Sequence, residues 1–423
     1  MFPSGRMKVL MVVGARPNFM KIAPIIRAVH DRNEKRTGPQ IDHVLVHTGQ
    51  HYDVAMSDRF FVDLGLPTPD VHLGVGSGSH TQQTADVMKK FEDVVLREKP
   101  DVVVVVGDVN STLACALVTA KLSFDAAGSR PLIAHVEAGL RSFDRTMPEE
   151  VNRIVTDHVS DLLFVTEESG LQNLRNEGIS SDWIHLVGNT MIDSLLAFNE
   201  KAEASTVLED LGLRMRTEKG ATNTPITRYA LLTLHRPSNV DTPDAFLGIL
   251  EGLEELAEGS PVVFPVHPRT RQRIKEFGLE SRIRVNQTRI HSDALGPEKM
   301  PTGIILTDPL GYLDFLCLMK NATIVVTDSG GIQEETTCLG IPCVTVRENT
   351  ERPVTVEYGT NVIAGTGKDR IREAVRSQME RKAQNRMPKH WDGRTAERII
   401  EVLIRAHRDR NRTRHSQVPE PCV

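Results

Sequence analysis

At 423 residues, with roughly 100–200 residues per domain, the chain is too long for one ordinary core, and two or three domains are expected. Lys plus Arg number 51 and Asp plus Glu 56, a net charge of −5, which argues against a polyanion binder, and aromatic residues at 4% are too sparse for a single-strand nucleic-acid platform. A composition that is 39% hydrophobic and 25% charged argues against disorder, and no apolar run approaches the ~18 residues of a membrane span or forms a signal-peptide core.

In chain order, Lys8–Val13 reads as a strand and Asn18–His30 as a helix beyond the Gly14–Pro17 turn. His43–His47, Asp101–Val106, Leu132–Val136 and Leu162–Val165 are further strands, with apolar residues at helical spacing in Gln82–Arg97, Ser111–Ala120 and Glu149–Val159. Near-continuous apolar strands alternating with helices predict an α/β fold with a parallel sheet buried on both faces. A polar stretch, Ala202–Pro225, interrupts the alternation. Strand-like runs then resume at Tyr229–Leu234, Val262–Val266, Gly303–Leu306, Thr323–Thr327, Cys343–Val346 and Asn361–Ile363. A second α/β domain is therefore expected, with domains over 1–200 and 201–389, a helix over 393–408 and a loose polar tail over 409–423. The five cysteines are scattered without a C-x-x-C pair. Reduced thiols, no structural zinc and a cytoplasmic location are expected.

Ligands of open parallel sheets bind beyond the carboxyl ends of the strands, and there the unusual polar residues fall. The first strand ends in Gly14-Ala15-Arg16-Pro17, with Lys21 a turn into the helix and no dinucleotide fingerprint. Arg16 and Lys21 suit a diphosphate, although Lys21 alone fits a solvated helix residue equally well. Carboxylates follow at Asp108, at Glu137 and at Glu149, the last opening a helix with Arg153. Glu149 alone would read as a helix cap. Three acids at successive sheet-end positions point to acid–base chemistry. In the second domain, strands end in His235 and His267, each of which taken singly is more often structural. Asp328-Ser329-Gly330-Gly331 leads from a strand into a helix, offering backbone N–H groups and a positive helix end to a diphosphate. Glu335 is placed a turn later for ribose hydroxyls, and Arg347 and Arg352 lie in the next loop.

Gly14–Pro17, His135–Arg141, Pro148-Glu149-Glu150 with Asn152-Arg153, Asp328–Glu335 and Thr350–Pro353 occur in one order. Together they resemble the non-hydrolysing UDP-N-acetylglucosamine 2-epimerases over residues 7–400. The resemblance implies two Rossmann-like domains facing a central cleft, in a glycosyltransferase-B-type architecture, with the C-terminal helix crossing back to the first domain. It implies interconversion of UDP-N-acetylglucosamine and UDP-N-acetylmannosamine by a homodimer, without metal or other cofactor and without nucleic-acid or membrane partners. Carried over by motif, Asp108, Glu137 and Glu149 form the acid–base group, with His235 at the leaving diphosphate. Arg16, Lys21, Arg153, Ser329, Gly330, Gly331 and Arg352 hold the diphosphate, Glu335 takes the ribose and Phe315 packs on uracil.

Two departures stand out. Some relatives are activated by UDP-N-acetylglucosamine through a Gln-His-x-x-Gln stretch, whereas Gln50-His51-Tyr52-Asp53 ends in an acid, so hyperbolic kinetics are expected here. His235 is followed by Arg236-Pro237-Ser238-Asn239 instead of a more charged stretch. Three rival readings are a hydrolysing 2-epimerase, a retaining glycosyltransferase and a non-catalytic nucleotide-sugar sensor.

Overall fold

The structure, a computed structural model, describes residues 6–36, 38–50, 65–126, 128–214, 226–285, 302–381 and 386–416; for Arg16, Arg284, Val285 and residues 413–416 it describes the backbone alone. The chain divides into two compact units, Met1–Leu196 with Lys389–Val423, and Ala197–Pro388.

The first unit is built on a seven-stranded parallel sheet. Its spatial order is β3 (Val71–His72), β2 (Ile41–His47), β1 (Met7–Val13), β4 (Val102–Val106), β5 (Leu132–Ala138), β6 (Leu162–Val165), β7 (Ile184–Leu186). Strand β4 is five consecutive valines, all buried, as a strand covered by helices on both faces must be. The order reverses between β1 and β4, and the residues beyond those two strand ends are Gly14–Arg16 and Gly107-Asp108. Such a switch point leaves a crevice for ligand.

Helix α1 (Arg16–Lys35) starts two residues earlier than the sequence suggests, because Pro17 suits the first helical turn. Asn18 explains the tightness of this turn. Its side-chain oxygen accepts from the Gly14 and Ala15 N–H groups at 3.1 and 3.0 Å, and its amide donates to the Val106 carbonyl at 2.9 Å, tying α1 to the end of β4. Helices α2 (His80–Glu98), α3 (Asn110–Lys121) and α4 (Pro148–Val159) complete the part of the unit that positions its polar residues.

The C-terminal helix, Thr395–Ser416, packs within this unit. Its first N–H groups, at Thr395 and Ala396, donate to the buried Asp193 carboxylate at 3.1 and 2.8 Å, and Trp391 just before it donates to the Thr166 carbonyl at 3.0 Å. It does not end at 408. Residues 409–416 contain no Gly or Pro, so polarity alone does not stop the helix, and Arg410 donates to the Arg130 carbonyl. The remainder of the tail expected to be loose, 417–423, lies outside the described residues.

The second unit repeats the architecture with a different order: β10 (Arg284–Val285), β11 (Gly303–Thr307), β9 (Pro261–Pro265), β8 (Ala230–Thr233), β12 (Ile324–Thr327), β13 (Cys343–Thr345), β14 (Asn361–Ile363), all parallel. Leu232, Phe246, Phe264 and Val326 are among the buried residues of its core. Here the reversal lies between β8 and β12, whose ends lead to His235 and to Asp328-Ser329. Helices α5 (Pro268–Glu276), α6 (Tyr312–Asn321) and α7 (Gly330–Leu339) follow β9, β11 and β12.

Candidate active site

In the first unit, β4 turns through Gly107 in a left-handed conformation, φ +68°. A Cβ there would stand 2.8 Å from the Lys21 Nζ and 3.4 Å from the Asn18 amide. Glycine therefore allows the strand end and α1 to approach each other. Lys21 Nζ lies 2.5 Å from Oε2 of Glu137, both side chains almost wholly buried. Glu137 occupies an irregularity in the β5–β6 pairing and itself has φ +73°. A non-glycine residue in that region is strained, a feature that clusters at functional sites.

Asp108, the next residue after Gly107, pairs through Oδ2 with Nη1 of Arg153 at 2.5 Å, and its backbone carbonyl accepts from Asn152 at 2.9 Å. The other end of the Arg153 guanidinium, Nη2, pairs with Oε2 of Glu150 at 2.5 Å. Glu150 also accepts from the backbone N–H groups of Ser142 and Phe143, each at 2.9 Å. Burial alone would raise its pKa, but these donors and the Arg153 charge hold it below the usual carboxylate range. Glu149 is half-buried in the first turn of α4, without an ion pair among the described residues. Arg16 opens α1, but its side chain lies outside the described residues, as do His51, Tyr52 and Asp53.

The first unit thus gathers Lys21, Asp108, Glu137 and Arg153 at its switch point. Of the cations expected on a diphosphate, Lys21 and Arg153 are each matched to a carboxylate. Sequence reasoning missed Glu150: at three residues before Arg153 it competes with Glu149 at four, and both spacings allow an ion pair on a helix. It also gave no role to Asp157, which is buried against His135 and Arg141 at 2.6 and 2.7 Å. Burial would raise the Asp157 pKa, and its interactions with those two partners bring it below its ordinary value.

In the second unit, Asp328 is the organising residue. It is wholly buried and accepts from the backbone N–H groups of His235 and Arg236 at 3.1 and 2.9 Å and from Asn239 at 3.1 Å. His235 Nδ1 stands 2.8 Å from its Oδ1, while the rest of the ring is largely exposed. The imidazole is consequently oriented with Nε2 away from its anchor. Burial pushes the Asp328 carboxyl up, but His235 and the backbone donors hold it down, so it is ionised. The signal in the sequence was an acid directly beyond a β-branched strand. His267 instead caps α5, accepting from the Arg269 N–H at 3.3 Å.

Ser329 is the N-cap of α7, and Gly330 and Gly331 are its first two residues. A Cβ on Gly330 would fall on the Arg352 guanidinium, so glycine brings this cation against the helix N-terminus. Arg352 Nε pairs with Glu334 at 2.7 Å, and Glu351 gathers Arg347, Arg236 and Arg352 at 2.8, 3.3 and 3.4 Å. Despite burial, those arginines hold the Glu351 pKa far below normal. The N-terminus of α7, with the Arg352 guanidinium against Gly330, suits a diphosphate. Glu335 is buried a turn further along, and the Tyr312 hydroxyl donates to it at 3.3 Å. Burial, aided by the Glu334 charge and opposed by Tyr312, pushes its pKa up to about 8. Phe315 is half-buried one turn beyond Tyr312 on α6. Among the described residues no group of three His, Cys, Asp or Glu side chains could hold a metal ion, and no helix is long and apolar enough to cross a membrane.

Two Rossmann-like α/β units with charged residues beyond their switch points define a protein of the glycosyltransferase-B-type fold class. The family described as UDP-N-acetylglucosamine 2-epimerase matches residues 33–404, and the chain belongs to that family. The UDP-N-acetylglucosamine 2-epimerase of Methanocaldococcus jannaschii is 41% identical over 408 residues, covering 94% of this chain and 99% of that one. Its crystal structure in complex with UDP-GlcNAc and UDP is similar at a TM-score of 0.79, with 41% identity and coverage of 94% and 99%. The UDP-2,3-diacetamido-2,3-dideoxy-D-glucuronate 2-epimerase of Pseudomonas aeruginosa is 38% identical over 402 residues, covering 94% of this chain and 100% of that one.

Proposed function

We propose that the protein interconverts UDP-N-acetylglucosamine and UDP-N-acetylmannosamine with the UDP linkage restored at the end of each turnover. The observation that carries this reading is the placement of Asp108 and Glu137 at neighbouring strand ends, each fixed by a buried cation. Family membership supports the substrate class.

The chemistry calls for such a pair. The C2–H of the sugar has no adjacent carbonyl, so a carboxylate of pKa about 4 cannot remove it directly. As the C1–O bond to UDP breaks, C1 gains oxocarbenium character and the C2 proton becomes acidic. A carboxylate takes that proton while the C1–O electron pair leaves with UDP, giving 2-acetamidoglucal. Protonation of C2 on the opposite face and re-addition of UDP at C1 complete the inversion. Asp108, Glu137 and Glu149 are assigned to proton transfer and cation stabilisation. His235, oriented by Asp328, assists the departing diphosphate. Ser329, Gly330, Gly331 and Arg352 of the second unit are assigned to the diphosphate, as are Arg16, Lys21 and Arg153 of the first. Glu335 serves the ribose and Phe315 the uracil. The reading uses no cofactor or metal and includes a cytoplasmic homodimer.

The Pseudomonas relative supports a second reading, in which the sugar carries a 3-acetamido group and a C6 carboxylate. Incubation with each nucleotide sugar, followed by chromatography, tests both. The expected result is an equilibrium mixture of intact UDP-N-acetylglucosamine and UDP-N-acetylmannosamine. Free N-acetylmannosamine with stoichiometric UDP would identify a hydrolysing enzyme, and turnover of the diacetamido sugar alone would favour the second reading.

A further inference from the structure

His135 lies within β5, two residues before Glu137, on a strand where Ile133, Ala134, Val136 and Ala138 are buried aliphatics. A wholly buried imidazole is costly unless its ring nitrogens find partners. Here Nε2 stands 2.8 Å from the Gly107 carbonyl oxygen and Nδ1 2.6 Å from Oδ1 of Asp157. A carbonyl only accepts, so Nε2 donates its proton to Gly107. The second carboxylate oxygen of Asp157 accepts from the Gly139 backbone N–H at 3.1 Å and pairs with Arg141 Nη1 at 2.7 Å.

The attachment points decide what this cluster does. Gly107 immediately precedes Asp108, while Gly139 and Arg141 follow Glu137 by two and four residues. Gly107, Glu137 and Gly139 all have left-handed backbones, with φ of +68°, +73° and +81°. A non-glycine residue such as Glu137 keeps that conformation only where its surroundings over-determine it. An apolar side chain at position 135 would fill the space but leave the Gly107 carbonyl and Asp157 without this partner. His135 and Asp157 are themselves sealed from solvent, at 0% and 1% exposure, and beyond each other and the Arg141 side chain they bind the backbone at Gly107 and Gly139, next to the two acids.

We propose that the buried Asp157–His135 pair is a positioning device that fixes the Asp108 and Glu137 strand ends relative to one another for proton transfer. The inference rests on the epimerase reading above and deepens it by adding two residues that never touch substrate.

Three variants test it. His135→Asn keeps a donor towards Asp157 and loses the one to Gly107, His135→Gln does the reverse, and Asp157→Asn keeps the shape while removing the charge. His135→Asn and Asp157→Asn are expected to lower kcat about 10- to 100-fold per folded molecule, the order of loss for a misplacement of about 1 Å. KM and the calorimetric affinity for UDP should stay nearly constant, the split expected when only the transition state is affected. His135→Gln should recover part of the loss. Turnover within about twofold of wild type in both, or a loss that merely follows the folded fraction or UDP affinity, overturns the inference. Failure of all three variants to fold also overturns it, making the pair a purely structural element. An inactive wild type removes the functional reading and the inference together, whereas an active wild type with unaffected variants removes the inference alone.

Discussion

Asp108 and Glu137 are held in different ways, and the difference bears on what each can do. Asp108 is one-quarter exposed and linked through Arg153 to Glu150, whereas Glu137 is buried against Lys21 on a strained backbone. Asp108→Asn and Glu137→Gln should each lower kcat by about 10²–10⁴, the usual range for a general acid or base, with much smaller effects on UDP affinity. Steady-state kinetics and calorimetry check this, and near-normal turnover in both variants contradicts the assignment. Both acids were singled out in the sequence by their place at strand ends, Asp108 one glycine beyond Val102–Val106 and Glu137 at the end of the run from Leu132. Their partners were not. Residue type marks Lys21 and Arg153 as cations, but whether a cation meets a diphosphate or a carboxylate depends on contacts between segments far apart in the chain.

At the scale of elements, the β1–β2–β3 edge of the first sheet carries an acid-sensitive ring stack. His47 on β2 is stacked between Phe19 and His72, with ring centroids 5.4 and 4.6 Å away. Burial, then the charge of His72, lowers its pKa from 6.5 to about 4. Between those values the unfolded chain binds a proton at this position and the folded chain does not. The stabilisation is therefore present above pH 6.5 and lost as pH falls towards 4. The melting temperature of the wild type should decline across that window more steeply than that of His47→Phe, which keeps a ring in the stack. Equal pH slopes in thermal unfolding would contradict this account. The continuous apolar run of β4 and the helical spacing of α2 made those elements readable. Strands β3, β7 and β10 span only two or three residues each, too short for any period to register. The extension of the C-terminal helix to Ser416 depends in part on a long-range contact, Arg410 with Arg130, that composition does not reveal.

For the molecule as a whole, each sheet reverses its strand order beside the candidate residues: β1/β4 beside Asp108, and β8/β12 beside His235 and Asp328. The alternation of strands and helices made the parallel α/β class readable, but the spatial order of the strands arises from pairing and had to be seen. The proposed division of labour gives proton transfer to the first unit and the ribose and uracil to the second. Its central claim is that a carboxylate removes the C2 proton as UDP leaves C1 and that C2 is reprotonated before UDP is re-added. The most direct measurement is proton NMR of UDP-N-acetylglucosamine incubated with the enzyme in deuterium oxide. A proton parked on a carboxylate exchanges with solvent before return, so the account predicts deuterium at C2 in a product that still carries UDP. Epimerised UDP-sugar that retains protium at C2 would contradict it.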